Sequence, residues 1–177
     1  MKTRKLLVIS LLVITSLVLA GCGQKQKKHD PELINLAPNP GFEEKDLSCY
    51  STNHGNVTFE LTNDCHSGNY AAHISGRSVY WHGLYFDPKL EKGKTYHLSF
   101  WMKTDGEALV GAQIREDGIE AEFIGETIGN EWTQVKGSFT VGEQTNAVRI
   151  IFQSTYLSQV KDGDIYVDDI ILVEKNN

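Results

Sequence analysis

Thr95-Tyr96-His97-Leu98-Ser99-Phe100-Trp101-Met102-Lys103 is rich in aromatic and apolar residues and has the length of one long β-strand. Working outward, Val57-Thr58-Phe59-Glu60-Leu61-Thr62 alternates apolar and polar at period two, the pattern of a half-buried strand. Val148 to Gln153 does the same, with Val148, Ile150 and Phe152 on one face and Arg149, Ile151 and Gln153 on the other. Turn clusters separate such runs: His54-Gly55-Asn56, Ser67-Gly68-Asn69, Glu91-Lys92-Gly93, Thr104-Asp105-Gly106, Gly129-Asn130 and Lys161-Asp162-Gly163. Many short strands with turns between them, and no convincing helix, predict an all-β fold: a β-sandwich or jelly roll. Glu116 to Ile124 fits either a strand or a charged loop. No internal repeat interrupts the pattern, so residues 34–177 form one domain.

The beginning of the chain is of another kind. Met1-Lys2-Thr3-Arg4-Lys5 is basic, Leu6 to Ala20 is mostly apolar, and Leu19-Ala20-Gly21-Cys22 puts small residues directly before a cysteine. That is the pattern of an export signal over residues 1–21. A spanning helix needs roughly 20 apolar residues, and this run carries Ser10, Thr15 and Ser16 within a shorter stretch. Residues 22–33 are polar and charged without hydrophobic period, as in a flexible tether. Lys25, Lys27 and Lys28 there are either simply solvated or in touch with anionic headgroups. Loss of residues 1–21 takes away three cations and no acid, so the net charge moves from −6 to −9 over the 156 residues left. An acidic chain argues against nucleic acid as a partner and suits a neutral ligand.

Leu19-Ala20-Gly21-Cys22 resembles the lipobox of bacterial lipoproteins. The resemblance implies lipidation at Cys22 and a lipid-anchored, extracytoplasmic protein. Two cysteines then remain in an oxidising compartment, where leftover pairs commonly join. A Cys49–Cys65 disulfide would add ~3 kcal/mol by chain entropy, provided the two side chains meet, which the sequence leaves open.

An ordered series of short motifs runs through the domain: Pro38-Asn39-Pro40-Gly41-Phe42-Glu43, Ser67-Gly68-Asn69-Tyr70-Ala71, Ser75 to Gly83 (SGRSVYWHG), Gly93 to Lys103, Trp132, and Tyr166-Val167-Asp168-Asp169-Ile170. Together they resemble the carbohydrate-binding modules of the related families 4, 9 and 22. The resemblance covers about Asn35 to Val173 and implies a galactose-binding-like jelly roll that binds polysaccharide or oligosaccharide in a cleft, as a monomer and without chemistry.

The physical reasons stand beside it. A sugar ring has apolar C–H faces and a rim of hydroxyls, so its site needs an aromatic platform and a few polar side chains. Trp81 is the foremost platform candidate, next to Gly83, which leaves room beside the ring; the alternative is a core tryptophan. Tyr85 is a second candidate, equally suited to the core. Trp101 lies in a strand apolar on both faces and is expected in the core, and Trp132 also looks structural. Gln113 and Arg115 point outward together if Ile114 is buried, as do Arg149 and Gln153 if Ile150 and Phe152 are buried. These four suit hydroxyl recognition or an acidic sugar; the alternative is a solvated outer face. Family 22 modules tend to carry tyrosine or glutamate where this chain has Arg115, Arg149 and Gln153, so the resemblance reaches to sugar binding and stops short of xylan.

The resembled modules also hold a structural Ca²⁺, with ligands matching the Gly41 carbonyl, Glu43, Asp64, the Ser67 carbonyl and Asp168. Oxygen ligands of this kind suit calcium, and its expected role is to fasten the terminal strands.

Two other classes are weaker. Glycoside hydrolysis needs two carboxylates around one bond, and Glu116, Asp117, Glu120, Glu122 and Glu126 lie on a segment that reads as exposed. The six histidines lack zinc-type spacing, and no serine sits in a Gly-x-Ser-x-Gly elbow. A protein-docking or structural envelope domain would use the same cleft.

Overall fold

Along Thr95–Thr104, Tyr96, Leu98, Phe100 and Met102 are buried, while His97, Trp101 and Lys103 are half-buried on the opposite face. One strand thereby gives one face to a core, and the others repeat the arrangement. The structure, a computed structural model, describes residues 33–157 and 162–175. The expected export segment, Cys22 and the expected tether up to residue 32 lie outside the described residues.

Among the described residues ten strands follow in order: β1 (Ser51–Thr52), β2 (Thr58–Thr62), β3 (Ala71–Ser75), β4 (Leu84–Phe86), β5 (Thr95–Thr104), β6 (Ala108–Glu116), β7 (Ile119–Ile128), β8 (Thr133–Thr140), β9 (Val148–Ser154) and β10 (Ile165–Glu174). They form two five-stranded sheets, β1-β4-β9-β6-β7 and β2-β3-β10-β5-β8, in which all pairings are antiparallel. This is the β-sandwich predicted from the alternation. Between the sheets, Phe152 of β9 meets Phe100 of β5 edge-on at 5.0 Å. Both are fully buried, each contributing about 1.5–3 kcal/mol by leaving water.

Glu116 to Ile124 resolves as the corner of a hairpin. Asp117 and Gly118, at φ 48° and 83°, make the two-residue turn between β6 and β7, the positive-φ geometry that matches strand twist.

The two ends of the described domain are clasped by hydrogen bonds. Leu36 N–H donates to the Leu172 carbonyl at 2.7 Å, and Ile170 N–H to the Pro40 carbonyl at 2.9 Å. The Asn35 side chain completes the clasp, donating to the Ile170 carbonyl and accepting from Leu172 N–H. The clasp falls where the register of β10 shifts between Asp168 and Ile171, with Asp169 at φ 48°.

One expectation is corrected, and the cysteine pairing that the sequence leaves open is absent. Trp101 lies on the outer face of the second sheet, half-buried, with His66 stacked on it at 3.6 Å. A loop histidine covers that face, so the strand is apolar on both sides without being internal. Cys49 and Cys65 are free thiols. Cys49 precedes β1 of one sheet and Cys65 follows β2 of the other, where its Sγ faces the Gly68 carbonyl at 3.7 Å. Burial pushes both thiols up, and neighbouring acids add to this, which disfavours the reactive thiolate.

Candidate functional site

The registers of the first sheet line up three rows on its outer face. Tyr85, Ile151, Gln113 and Phe123 form the middle row. Arg149, Arg115 and Glu120 form one neighbour; Gln153, Gly111 and Gly125 form the other. The third row is almost bare, because two of its positions have no side chain. A Cβ on Gly111 would lie 2.1 Å from the Ile124 carbonyl oxygen, and one on Gly125 would lie 2.3 Å from the Phe123 ring. Glycine is required at both, and it leaves a lowered strip beside Gln153.

The loop between β3 and β4 stands beside this strip and carries Trp81. Trp81 is 42 % exposed, against 2 % for the adjoining His82, so it is not a core tryptophan. Its carbonyl accepts from Asn53 Nδ2 at 2.6 Å, and Asn53 Oδ1 accepts from Gly83 N–H at 2.9 Å. Its ring meets His82 edge-on at 4.4 Å and His54 edge-on at 5.9 Å, while His54 and His82 stack at 4.1 Å. Burial, with His54 and Arg77 nearby, holds His82 below the usual histidine range.

Beneath the loop lies Arg77, a buried cation that sequence reasoning passed over. It donates to the carbonyls of His82 at 2.8 Å, Tyr80 at 3.1 Å and Gly163, and to Ser154 Oγ at 2.6 Å. Burial lowers its pKa to about 10, so it stays charged at neutral pH. The signal available was local: an arginine just after Gly76, itself at φ 69°.

Trp81, Gln113, Arg115 and Gln153 line one groove section of about 180 Å³, together with Asn53, Tyr80, Glu120 and Ile151. Gln113 Nε2 donates to the backbone carbonyls of Glu122 and Ile114, which fixes the amide. Arg115 Nε is buried without a hydrogen-bond partner. Arg149 belongs to the next section, where it and Arg115 face Asp87. Arg149 holds Asp87 through two hydrogen bonds of 2.7 and 2.8 Å and lies over the Tyr85 ring at 3.7 Å. Tyr85 is therefore on the predicted face, but Arg149 covers one side of its ring. The structure unites four of the six expected sugar-contacting residues and sets Tyr85 and Arg149 apart as a stacked pair.

Of the expected calcium ligands, Gly41, Glu43, Ser67 and Asp168 meet at the clasp. Asp168 is fully buried and accepts from His66 N–H at 2.9 Å, Ser67 N–H at 3.1 Å and Asp169 N–H at 2.8 Å. Burial raises its pKa to about 6. Glu43 accepts from the N–H groups of Asn69 and Tyr70 at 2.7 and 2.9 Å. Asp64 departs from the expectation: it pairs with Lys103, which lies between the rings of Tyr166 and Trp132 at 4.6 and 5.5 Å. Among the described residues, no three His, Cys, Asp or Glu side chains gather as metal ligands.

Two facing antiparallel sheets with an aromatic groove on one outer face define a jelly-roll binding module. The chain belongs to the carbohydrate binding domain family of groups 4 and 9, whose family model matches residues 35–162. It is 28 % identical over 149 residues to endo-1,4-beta-xylanase A of Thermoanaerobacterium saccharolyticum, an alignment covering 78 % of the chain and 13 % of that enzyme. The chain thus spans only a small part of this relative. Two solved xylan-binding domains of family 22 from Paenibacillus barcinonensis Xyn10C share its fold. The first has a TM-score of 0.68 at 15 % identity, covering 78 % of this chain and 93 % of that one. The second has a TM-score of 0.67 at 20 % identity, covering 77 % and 98 %.

Proposed function

We propose that the chain binds a polysaccharide or oligosaccharide in the Trp81 groove without chemical change to it, as a monomeric, lipid-anchored extracytoplasmic protein. The observation that carries this reading is the exposed Trp81 ring in one groove with Gln113, Arg115 and Gln153. The ring supplies a C–H platform, while the amides and guanidinium supply hydroxyl partners. The xylan-binding domains of like fold support xylan as the first probe.

Carboxylate placement supports a non-catalytic site. Glu120 is the one carboxylate lining the Trp81 section. Asp87 is held by Arg149, and Asp117 accepts from Asn146 and Ala147 N–H. A hydrolase needs two free carboxylates about the scissile bond.

A structural calcium ion at the clasp is part of the same proposal, with Gly41, Glu43, Ser67 and Asp168 as its ligands. It would add oxygen coordination to a junction the backbone already ties. Chelation with EDTA then lowers the melting temperature and calcium restores it; an unchanged melting temperature removes the ion from the account.

Titration of tryptophan fluorescence with soluble xylan, alongside an assay for released reducing ends, tests the function. Binding without release is the expected result. Steady release of reducing ends contradicts it.

A further inference from the structure

Three aromatic residues stand together where β9 leaves the sheet. Tyr80 lines the groove section beside Trp81, and its ring meets Tyr156 edge-on at 6.2 Å, with 69° between planes. Tyr156 is 65 % exposed, the most exposed Phe, Tyr or Trp among the described residues. It is only three positions beyond Gln153, which contributes to the groove from the same strand.

The backbone under this group is fixed from several sides. Thr155 N–H donates to the Leu109 carbonyl at 3.0 Å, continuing the β9–β6 pairing past the strand end. Ser154 Oγ donates to the Tyr80 carbonyl at 3.1 Å. Leu157 N–H donates to Thr155 Oγ1 at 3.2 Å, a local turn with Tyr156 at its tip. The ring is held out of the core by an anchored backbone, with its position set by Tyr80.

We propose that Tyr156, positioned by Tyr80, forms a further sugar subsite that lengthens the groove beyond Trp81. The inference rests on the carbohydrate-binding reading of that groove. A tyrosine offers an apolar face to the C–H side of a pyranose and a hydroxyl to its rim. The ligand is then a glycan chain of several units, with one sugar at Trp81 and a later one on Tyr156. A single sugar or a short oligomer reaches only the Trp81 section.

The test is calorimetric titration of the full chain, its Trp81→Ala, Tyr156→Ala and Tyr156→Phe variants, with the triose and the hexaose of four sugars, those of xylan, β-glucan, mannan and pectic galacturonan. Circular dichroism establishes that each variant is folded. The wild type binds one hexaose more tightly than its triose. Tyr156→Ala shrinks that length advantage by about fivefold, the worth of one aromatic contact, and Tyr156→Phe keeps most of it. Trp81→Ala loses both ligands. If Tyr156→Ala retains the full length advantage while Trp81→Ala loses binding, the subsite is overturned and the groove stands. If the wild type binds none of the four sugars, or Trp81→Ala binds like wild type, the groove reading falls and the subsite with it.

Discussion

Arg77 Nε donates to the His82 carbonyl at 2.8 Å, five residues further along the chain, and closes the loop that presents Trp81. The same guanidinium reaches Tyr80, Ser154 and Gly163. A planar fork with several donors can serve four acceptors at once, and an ammonium cannot.

Arg77→Ala therefore leaves buried carbonyls without donors, and it is expected to lower the unfolding free energy by about 3 kcal/mol. Arg77→Lys restores less than half of that loss. Urea denaturation followed by fluorescence measures both; an Arg77→Ala midpoint equal to wild type refutes the anchoring role.

His82 gives the loop a pH dependence. Its Nδ1 accepts from Ser78 N–H at 3.3 Å, a role that protonation removes, and burial holds its folded pKa below the usual value near 6.5. Between the folded and unfolded values the unfolded chain binds the extra proton, so stability rises with pH. Its contribution is intact above about pH 6.5 and is lost as pH falls below it. The urea midpoint of wild type should drop between pH 7.5 and 5 by more than that of His82→Gln. Equal drops in the two proteins would remove His82 as the cause.

The glycine strip makes a steric prediction. Gly111→Val forces a side chain against the Ile124 carbonyl and Gly125 Cα, which should cost about 1–3 kcal/mol in thermal or urea unfolding. Gly118→Ala, where a Cβ meets nothing within 4 Å but φ is 83°, isolates backbone strain from crowding and is expected to cost about 1 kcal/mol. A Gly111→Val protein as stable as wild type would show that the β6–β7 ladder yields at this point.

Much of this was legible in the sequence. Period-two runs located β2 and β9 within a residue or so, because each turns one face inward, and an aromatic and apolar run of strand length located β5. The β7 segment was ambiguous for the opposite reason: Glu120, Glu122 and Glu126 are exposed on an edge strand, so burial imprints little alternation, and the Asp117-Gly118 turn was not among the turns read from the sequence. Trp81, Gln113, Arg115 and Gln153 were singled out by the chemistry a sugar demands, and they line one groove section. Arg77 was missed because its acceptors include Gly163, 86 positions away. Trp101 was misplaced because its cover, His66, arrives from a distant loop. Strand patterns are local and survive in sequence; contacts between loops do not.

The central claim is tested most directly by affinity electrophoresis of wild type and Trp81→Ala through gels containing xylan, β-glucan, mannan or pectin. The account predicts that at least one polymer retards the wild type and that Trp81→Ala, still folded, migrates freely in the same gel. Free migration of the wild type in every gel, or equal retardation of both proteins, would contradict it.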